Sequence, residues 1–395
     1  MAHSGRVARS LAPQSPRQNT SSSLFRGTLA GMNGQTIRVL ELSGSPYEMG
    51  YAHGSAYREA IRHFAEERVR LSGDPLWTGR ALPRPEVLTL AEACVEAHRC
   101  YAPELLDELQ GMAEATDLTL AELVVVNGFT DFIDTVYNAG TPVRQVAHTG
   151  ADNCTAFLVP DDQAAEGHGF FGQTWDMHSG ATPHVVLLRG RPQAAPAFLA
   201  FTTVGCVGMI GLNEAGVAVG INNLLGADGK VGVTWPFAIR RMLMAEDAEG
   251  ALEALTSADL AGAHNYLVLD ATGHGYNVEA HSTRHHITEL GGEALVHTNH
   301  CLADATRAVE RPREPASQAS SEERQKQAEN LLKRQSVTPE DLQALTRDES
   351  SICVRSAPPK HVETCGAVVV RPATRDFWAV WGLPSENTYE HFTLS

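Results

Sequence analysis

Apolar and polar positions follow two different rhythms along this chain, and the rhythm changes at Cys154. Before it, apolar residues recur at helical spacing: Ile61, Phe64, Ala65 and Val69 predict a helix within Ser55 to Ser72, and the same period runs through Pro85 to Ala97 and Pro103 to Thr116. The front third is therefore expected to be helical. After Cys154, short β-branched and aromatic runs alternate with turn residues. They predict strands at Phe170 to Trp175, Val185 to Arg189, Phe198 to Thr203, Val217 to Asn222, Tyr266 to Leu269, Tyr276 to Glu279 and Leu295 to His297. Turns such as Asn213-Glu214-Ala215-Gly216 suit antiparallel hairpins. Helical spacing returns at Pro236 to Ala245, Ala248 to Leu255, Ser321 to Lys333 and Pro339 to Leu345, with a polar insert at Arg311 to Ala319. Two late strands, Ala367 to Arg371 and Phe377 to Trp381, precede a terminal Glu390 to Leu394 segment. Antiparallel strands with segregated helices predict an α+β fold.

Composition narrows the function classes. A formal charge of -16, with no sustained basic stripe, argues against a nucleic-acid partner, because an acidic surface repels phosphate backbones. No apolar stretch approaches the roughly 20 residues of a membrane helix, and the N-terminus lacks the apolar core of a secretory signal. Seven cysteines scattered without regular spacing do not read as a disulfide framework. A soluble protein of the cytoplasm, with no membrane partner, is the expectation. Residues 1–35 are rich in Ser, Arg and Gly and lack sustained periodicity, so they are expected to be a disordered extension.

Candidate chemistry centres on Asp152-Asn153-Cys154-Thr155, where a cysteine opens the apolar run Ala156-Phe157-Leu158-Val159. A thiol of pKa about 8.5 needs help to attack a carbonyl at neutral pH. Breaking the Asn153–Cys154 bond would give Cys154 an α-amine of pKa about 7.7 to 8.0, a suitable general base beside its own thiol. The alternative is a buried cysteine that merely begins a core strand.

Several ordered blocks bear on that choice. They are Gly44 to Gly54, Glu104 to Ala113 leading to Val126-Asn127, the Gly172-Gln173-Thr174-Trp175-Asp176 run, Gly211 to Gly216 with Asn222-Asn223, and Thr298-Asn299-His300. Across residues 36 to 395 the chain resembles the penicillin-acyltransferase-like (acyl-CoA:6-aminopenicillanic acid acyltransferase, C45) family of N-terminal-nucleophile hydrolases. That resemblance implies a four-layer αββα sandwich. It also implies self-cleavage between Asn153 and Cys154 into a helical front chain, residues 36–153 behind the extension, and a catalytic chain, residues 154–395, which stay associated.

Carried over residue by residue, the resemblance makes Cys154 the nucleophile, Asp176 the holder of the new α-amine, and Asn299 an oxyanion donor. Asn222, or its neighbour Asn223, is a second donor candidate, and strand alternation allows only one of them on the inner face. Arg355, near Ile352-Cys353, stands for a late family arginine, although Val354 disturbs the register. Thr155 could donate to the thiolate or to the precursor carbonyl. In the related bile-salt hydrolases and penicillin V acylases an arginine stands three residues before the aspartate, where this chain has Gln173.

Other signals are weaker. His297, His300 and Cys301 lie close enough in sequence to raise a metal site, yet no CxxC pair or HExxH helix accompanies them, and neither a metal nor another cofactor is expected. Trp175, Trp235 and Phe237 are candidate walls of an apolar substrate pocket, or ordinary core aromatics. The resulting expectation is a self-processing amidohydrolase that cleaves a small N-acylated amine or peptide through an acyl-enzyme. An acyl-CoA-dependent N-acyltransferase with the same nucleophile and a processed, non-catalytic acyl-ligand-binding protein are the alternatives.

Overall fold

A strand with no polar face can be buried only between two covering layers. In the computed structural model, which describes Met1, residues 36–139 and residues 153–394, every residue of Phe170–His178, Phe198–Thr203 and His264–Leu269 is buried. The expected extension over residues 1–35, Met1 apart, lies outside the described residues. The strands are β1 (Val39–Gly44), β2 (Ala156–Val159), β3 (Phe170–His178), β4 (Val185–Pro192), β5 (Phe198–Thr203), β6 (Ile210–Asn213), β7 (Ala218–Asn223), β8 (His264–Leu269), β9 (Gly275–Ala280), β10 (His285–Glu289), β11 (Leu295–His297), β12 (Val362–Arg371), β13 (Asp376–Trp381) and β14 (Glu390–Thr393). The helices are α1 (Pro46–Ala56), α2 (Arg58–Ser72), α3 (Pro75–Thr78), α4 (Arg84–Tyr101), α5 (Pro103–Thr116), α6 (Leu120–Val126), α7 (Phe129–Asn138), α8 (Trp235–Met242), α9 (Ala248–Thr256), α10 (Asp304–Arg307), α11 (Pro315–Leu332) and α12 (Pro339–Thr346).

Among the described residues the strands form two sheets, ordered β1-β4-β5-β6-β7-β8-β9-β10 and β11-β2-β3-β12-β13-β14. Side-chain alternation sorts them into layers. Val186, Leu188, Phe198 and Ala200 of the larger sheet pack against Met49, Ile61, Leu105 and Leu109 of the helices before Cys154. Their alternates Val185, Leu187, Leu199 and Phe201 meet Leu158, Phe171 and Val368 of the other sheet. On the far side of that second sheet, Phe157, Val159, Phe170 and Val369 pack on Ala328 and Leu332 of α11 and Leu342 and Leu345 of α12. Helix, sheet, sheet, helix is the four-layer αββα order, and the fold is α+β. Among the described residues, no helix is long and apolar enough to cross a membrane.

One element departs from the helical reading of the front third. Val39–Gly44 is a strand that pairs in parallel with β4, Val39 opposite Leu187, so the segment before Cys154 supplies an edge of the larger sheet. The chain then turns into α1 through a capping box, in which Ser45 and Glu48 satisfy each other's backbone N–H groups. Helix α1 crosses α5 at backbone contact distance: a Cβ on Gly50 would stand 1.8 Å from the Glu108 carbonyl oxygen, and one on Gly111 would stand 2.1 Å from that of Tyr47.

Buried acceptors on the front helices tie them to the residues after Cys154. His98 donates from Nδ1 to the Cys94 carbonyl (2.7 Å) and accepts the Thr234 N–H at Nε2 (3.2 Å). His53 accepts the Gly205 N–H at 3.1 Å. On α7, Asp134 accepts the N–H groups of Gly226 (2.9 Å) and Ala263 (3.1 Å), and Asp131 accepts that of Trp235 (3.1 Å). Burial pushes both imidazoles down to about 4, as an acceptor facing a backbone N–H requires.

The pH consequence has a definite sign. An unfolded chain takes up protons on these two histidines below their ordinary value of about 6.5, whereas the folded chain does not until about 4. The stability they carry is therefore present above about pH 6.5 and is lost as pH falls toward 4. Asp134 acts in the opposite sense, since burial raises it to about 6 and its contribution is lost as pH rises through that value. The histidine share is isolated by comparison with a His98→Gln variant. The difference in unfolding free energy between wild type and variant should be widest near neutral pH and shrink by about 2–3 kcal/mol toward pH 4, as read from urea titrations at a series of pH values.

Candidate active site

Cys154 precedes β2 by one residue, and its position is set by the pairing of β2 with β3. Thr155 and Thr174 hold the strands together at this point: the Thr155 N–H donates to Thr174 Oγ1 (3.0 Å), and the Thr174 N–H donates to the Thr155 carbonyl (2.9 Å). Cys154 is 4% exposed and belongs to the core between the two sheets. Its sulfur accepts the backbone N–H of Asp176 at 3.4 Å. Cys154 and Asp176 are thus neighbours across two adjacent strands, and Asp176 is fully buried. The Asp176 carboxylate adds to burial in pushing the nearby thiols of Cys353 and Cys365 up, and burial does the same to Cys94 and Cys206.

The centre of the arrangement is a residue that the sequence reading did not select. Arg324, on α11 and 1% exposed, donates from Nη1 to the Cys154 carbonyl (2.6 Å) and to Thr155 Oγ1 (3.2 Å), and from Nη2 to Asn299 Oδ1 (3.0 Å). One guanidinium thereby fixes the start of β2 and the loop after β11 together. Asn299 is completely buried; its N–H donates to Ser321 Oγ (2.9 Å) and its Nδ2 to the Asn223 carbonyl (3.0 Å). A carboxamide nitrogen carries two protons, so one remains for another acceptor. A sequence signal for Arg324 does exist: Ser321, Arg324, Ala328 and Leu332 are the buried stripe of an otherwise polar helix, spaced three or four residues apart as one helical face demands.

Alternation also decides between Asn222 and Asn223. A Cβ on Gly220 would meet the Phe171 ring and Gln173 Oε1 of the opposing sheet, so Asn222, two residues on, shares the inner face that Cys154 occupies from the other side. Its Oδ1 accepts from Asn265 Nδ2 at 3.3 Å. Its Nδ2, fully buried, has no hydrogen-bond partner among the described residues. Gln173 clamps the sheets: its Oε1 accepts the Ile221 N–H at 2.9 Å and its Nε2 donates to the Ile221 carbonyl.

Other expected site residues fall elsewhere. Arg355 lies on the surface with its side chain 54% exposed, paired to Glu349 at 2.5 Å and to Glu386; the arginine touching Cys154 is Arg324. Thr155 Oγ1 accepts a hydrogen bond from Arg324 Nη1 at 3.2 Å, which leaves its own proton to donate. Phe237 packs on His98 in the outer helical layer, ring centroids 4.2 Å apart, which removes it from the inter-sheet face. Trp175 and Trp235 remain in the inter-sheet core with Cys154, Trp175 edge-on to Phe201 and Trp235 beside His264. Asn153 is half-buried, and Asp152 lies outside the described residues. His297 directs Nε2 to Glu279 (3.0 Å) and Nδ1 to the Thr298 carbonyl (2.9 Å), so neither nitrogen is left for Cys154. Among the described residues no group of three His, Cys, Asp or Glu side chains converges to hold a metal ion. A cavity of about 870 Å3 opens on the far side of the larger sheet, against Met49, Glu108, Arg240 and Met244, away from Cys154.

Arg324 should not be replaceable by lysine, because a single ammonium cannot span acceptors on two segments. Arg324→Lys is expected to cost about 1–3 kcal/mol in urea unfolding. Arg355→Ala, which removes only exposed ion pairs, should change stability by less than about 1 kcal/mol.

Residues 163–386 match the family model described as acyl-coenzyme A:6-aminopenicillanic acid acyl-transferase, a match that begins after Cys154. A protein of Emericella nidulans named acyl-coenzyme A:6-aminopenicillanic-acid-acyltransferase 40 kDa form is 25% identical over 262 residues, covering 66% of this chain and 68% of that protein. An uncharacterised protein of Archaeoglobus fulgidus is 26% identical over 217 residues, 52% of this chain and 36% of its own length, so the match spans about a third of that relative. Among solved structures, a mutant conjugated bile acid hydrolase of Clostridium perfringens aligns at 12% identity over 61% of this chain and 97% of its own, with a TM-score of 0.43. The penicillin V acylase of Agrobacterium tumefaciens aligns at 13% identity over 61% and 86%, with a TM-score of 0.40.

Proposed function

The chain belongs to the acyl-coenzyme A:6-aminopenicillanic acid acyl-transferase family, and from that premise we propose that it is a self-processing thiol amidohydrolase with Cys154 as its nucleophile. The observation that carries the reading is the joint restraint of Cys154 and Asn299 by Arg324. A guanidinium that fixes both the nucleophile's own carbonyl and a side-chain amide is what positioning for attack on a carbonyl requires.

In the precursor, the Cys154 thiol attacks the Asn153 carbonyl carbon. The Asn153–Cys154 C–N bond breaks, and the acyl group passes to sulfur. Water then cleaves the thioester, leaving a front chain that ends at Asn153 and a catalytic chain that begins with the free α-amine of Cys154. Asp176, buried beside Cys154, orients that amine. The buried acceptors on His53, His98, Asp131 and Asp134 all lie before the cut and their donors after it, so the two chains stay associated.

In the mature site the α-amine takes the thiol proton as Cys154 attacks an amide carbonyl. The spare proton of Asn299 Nδ2 and the unengaged Nδ2 of Asn222 receive the developing oxyanion, and the ammonium returns its proton to the leaving amine. Water clears the acyl-enzyme. If an acceptor amine does so instead, the same nucleophile performs acyl transfer. Assays with small N-acyl amines, and in parallel with acyl-CoA plus an amine, distinguish the two outcomes.

Two measurements test this reading. Intact-mass analysis should find fragments meeting at Asn153/Cys154 in wild type and one uncut chain in Cys154→Ala; an uncut, stably folded wild type would remove the α-amine from the mechanism. Asn299→Ala in processed enzyme should lower kcat by about 100- to 1,000-fold with a smaller change in KM.

A further inference from the structure

A second thiol carries an acid-base relay of its own. Cys301 follows β11, His281 follows β9, and Asp228 lies in the loop after β7, so three separate segments bring these side chains together. Cys301 Sγ stands 3.3 Å from His281 Nε2, and His281 Nδ1 stands 3.5 Å from Asp228 Oδ1. With a carboxylate on the Nδ1 side, the ring proton sits on Nδ1 and Nε2 accepts the thiol S–H. Asp228 is itself fixed, since its Oδ2 accepts the Thr283 N–H (3.0 Å) and hydroxyl (2.6 Å). Burial works to raise its carboxyl, but the nearby His281 ring and the hydrogen bonds from Thr283 prevail and hold it below its ordinary value. Burial, with the Glu310 and Glu279 carboxylates, pushes the Cys301 thiol up and keeps it protonated at rest, so its reaction requires the neighbouring imidazole to take the proton as the sulfur attacks.

The surroundings select what could react there. Cys301 lines a cavity of about 490 Å3 together with His300, Arg307, Glu310, Arg311 and Arg313. Arg311 is 2% exposed, lies over the Tyr137 ring and reaches the Thr78 carbonyl with Nη1, while its Nε and Nη2 have no hydrogen-bond partner among the described residues. A buried guanidinium edge left open beside a cavity is a seat for a carboxylate. Three arginines line this space against two carboxylates, Glu310 and Glu322; Arg307 and Arg313 are paired to Asp304 and Glu310, which leaves Arg311, among the described residues, as the guanidinium open to an incoming anion.

We propose that Cys301, with His281 and Asp228, is a thiol–disulfide exchange site for small anionic disulfides, whose carboxylate Arg311 receives. The Cys301 proton passes to His281 Nε2, the sulfur attacks one sulfur of the disulfide, and the S–S bond breaks. The departing thiolate takes the proton from His281. Cys301 ends as a mixed disulfide and one equivalent of small thiol is released, so the electron pair lost by the protein thiol is gained by the reagent.

The probe is oxidised glutathione applied to the native full-length protein, with each cysteine followed by peptide mass mapping. Cys301 should acquire glutathione well before Cys94, Cys206 and Cys365, which are equally buried but whose thiols have no imidazole hydrogen-bond partner among the described residues. His281→Gln and Asp228→Asn should each slow the Cys301 reaction by about 10-fold or more while leaving the melting temperature and the Cys94 rate unchanged. If His281→Gln lowers the melting temperature, Asp228→Asn, at a partly exposed position, decides the matter. Labelling of Cys301 no faster than Cys94, or at the wild-type rate in Asp228→Asn, overturns the relay. Neutral 2-hydroxyethyl disulfide reacting as fast as oxidised glutathione overturns the anionic class.

Discussion

The arrangement around Cys154 depends on one buried cation. Arg324 enters the core from a helix whose exposed faces are polar, and spends its donors on the Cys154 carbonyl, the Thr155 hydroxyl and the Asn299 amide oxygen. Acceptors matched to its protons offset the desolvation of such a guanidinium. The same matching fixes those acceptors: β2 cannot slide and the loop after β11 cannot swing without leaving a charged donor unpaired. The inter-sheet face is constrained in a similar way by Gln173, whose amide spans the gap to the Ile221 backbone. These two side chains fix the backbone on which Cys154 and Asn222 sit.

Much of the fold was legible in the sequence because the change of rhythm at Cys154 separates helices from strands, while the two stacked sheets between helical layers came from the family resemblance. The two strands at the margins of the larger sheet were not. β10 (His285–Glu289) is almost wholly exposed, so no apolar run marks it, and β1 alternates too briefly to stand apart from the helices that follow. At the site, alternation along β7 said only that one of Asn222 and Asn223 faces inward; the contacts at Gly220 place Asn222 on that face. The choice of arginine went astray for a physical reason. Arg355 and Arg324 both lie far from Cys154 in sequence, and only the buried stripe of α11 separates a surface ion-pairing residue from a core one. Phe237 illustrates the same limit: an aromatic beside Trp235 on a helix faces a different layer from its neighbour.

The segments before and after Cys154 are bound by apolar surface and also by polar groups that accept backbone N–H groups out of water's reach. Such contacts are directional, and each one lost strands a buried donor. They explain why a break in the peptide chain between Asn153 and Cys154 need not loosen the fold, and why histidine is used where a neutral acceptor is needed. Neutral imidazole accepts at one nitrogen while donating at the other, as His98 does between Cys94 and Thr234.

The parallel pairing of β1 with β4 bears on the order of events as the chain matures. Val39 must find Leu187, a closure across the whole helical front segment and the first strands of the smaller sheet, and such long-range parallel contacts form late in folding. The thiol chemistry proposed at Cys154 depends on Arg324 and Asn299, which come from still later in the chain. A newly made polypeptide would therefore assemble its sheets before it could sever itself. Cleavage would then act as a checkpoint, cutting only chains whose two halves already hold one another.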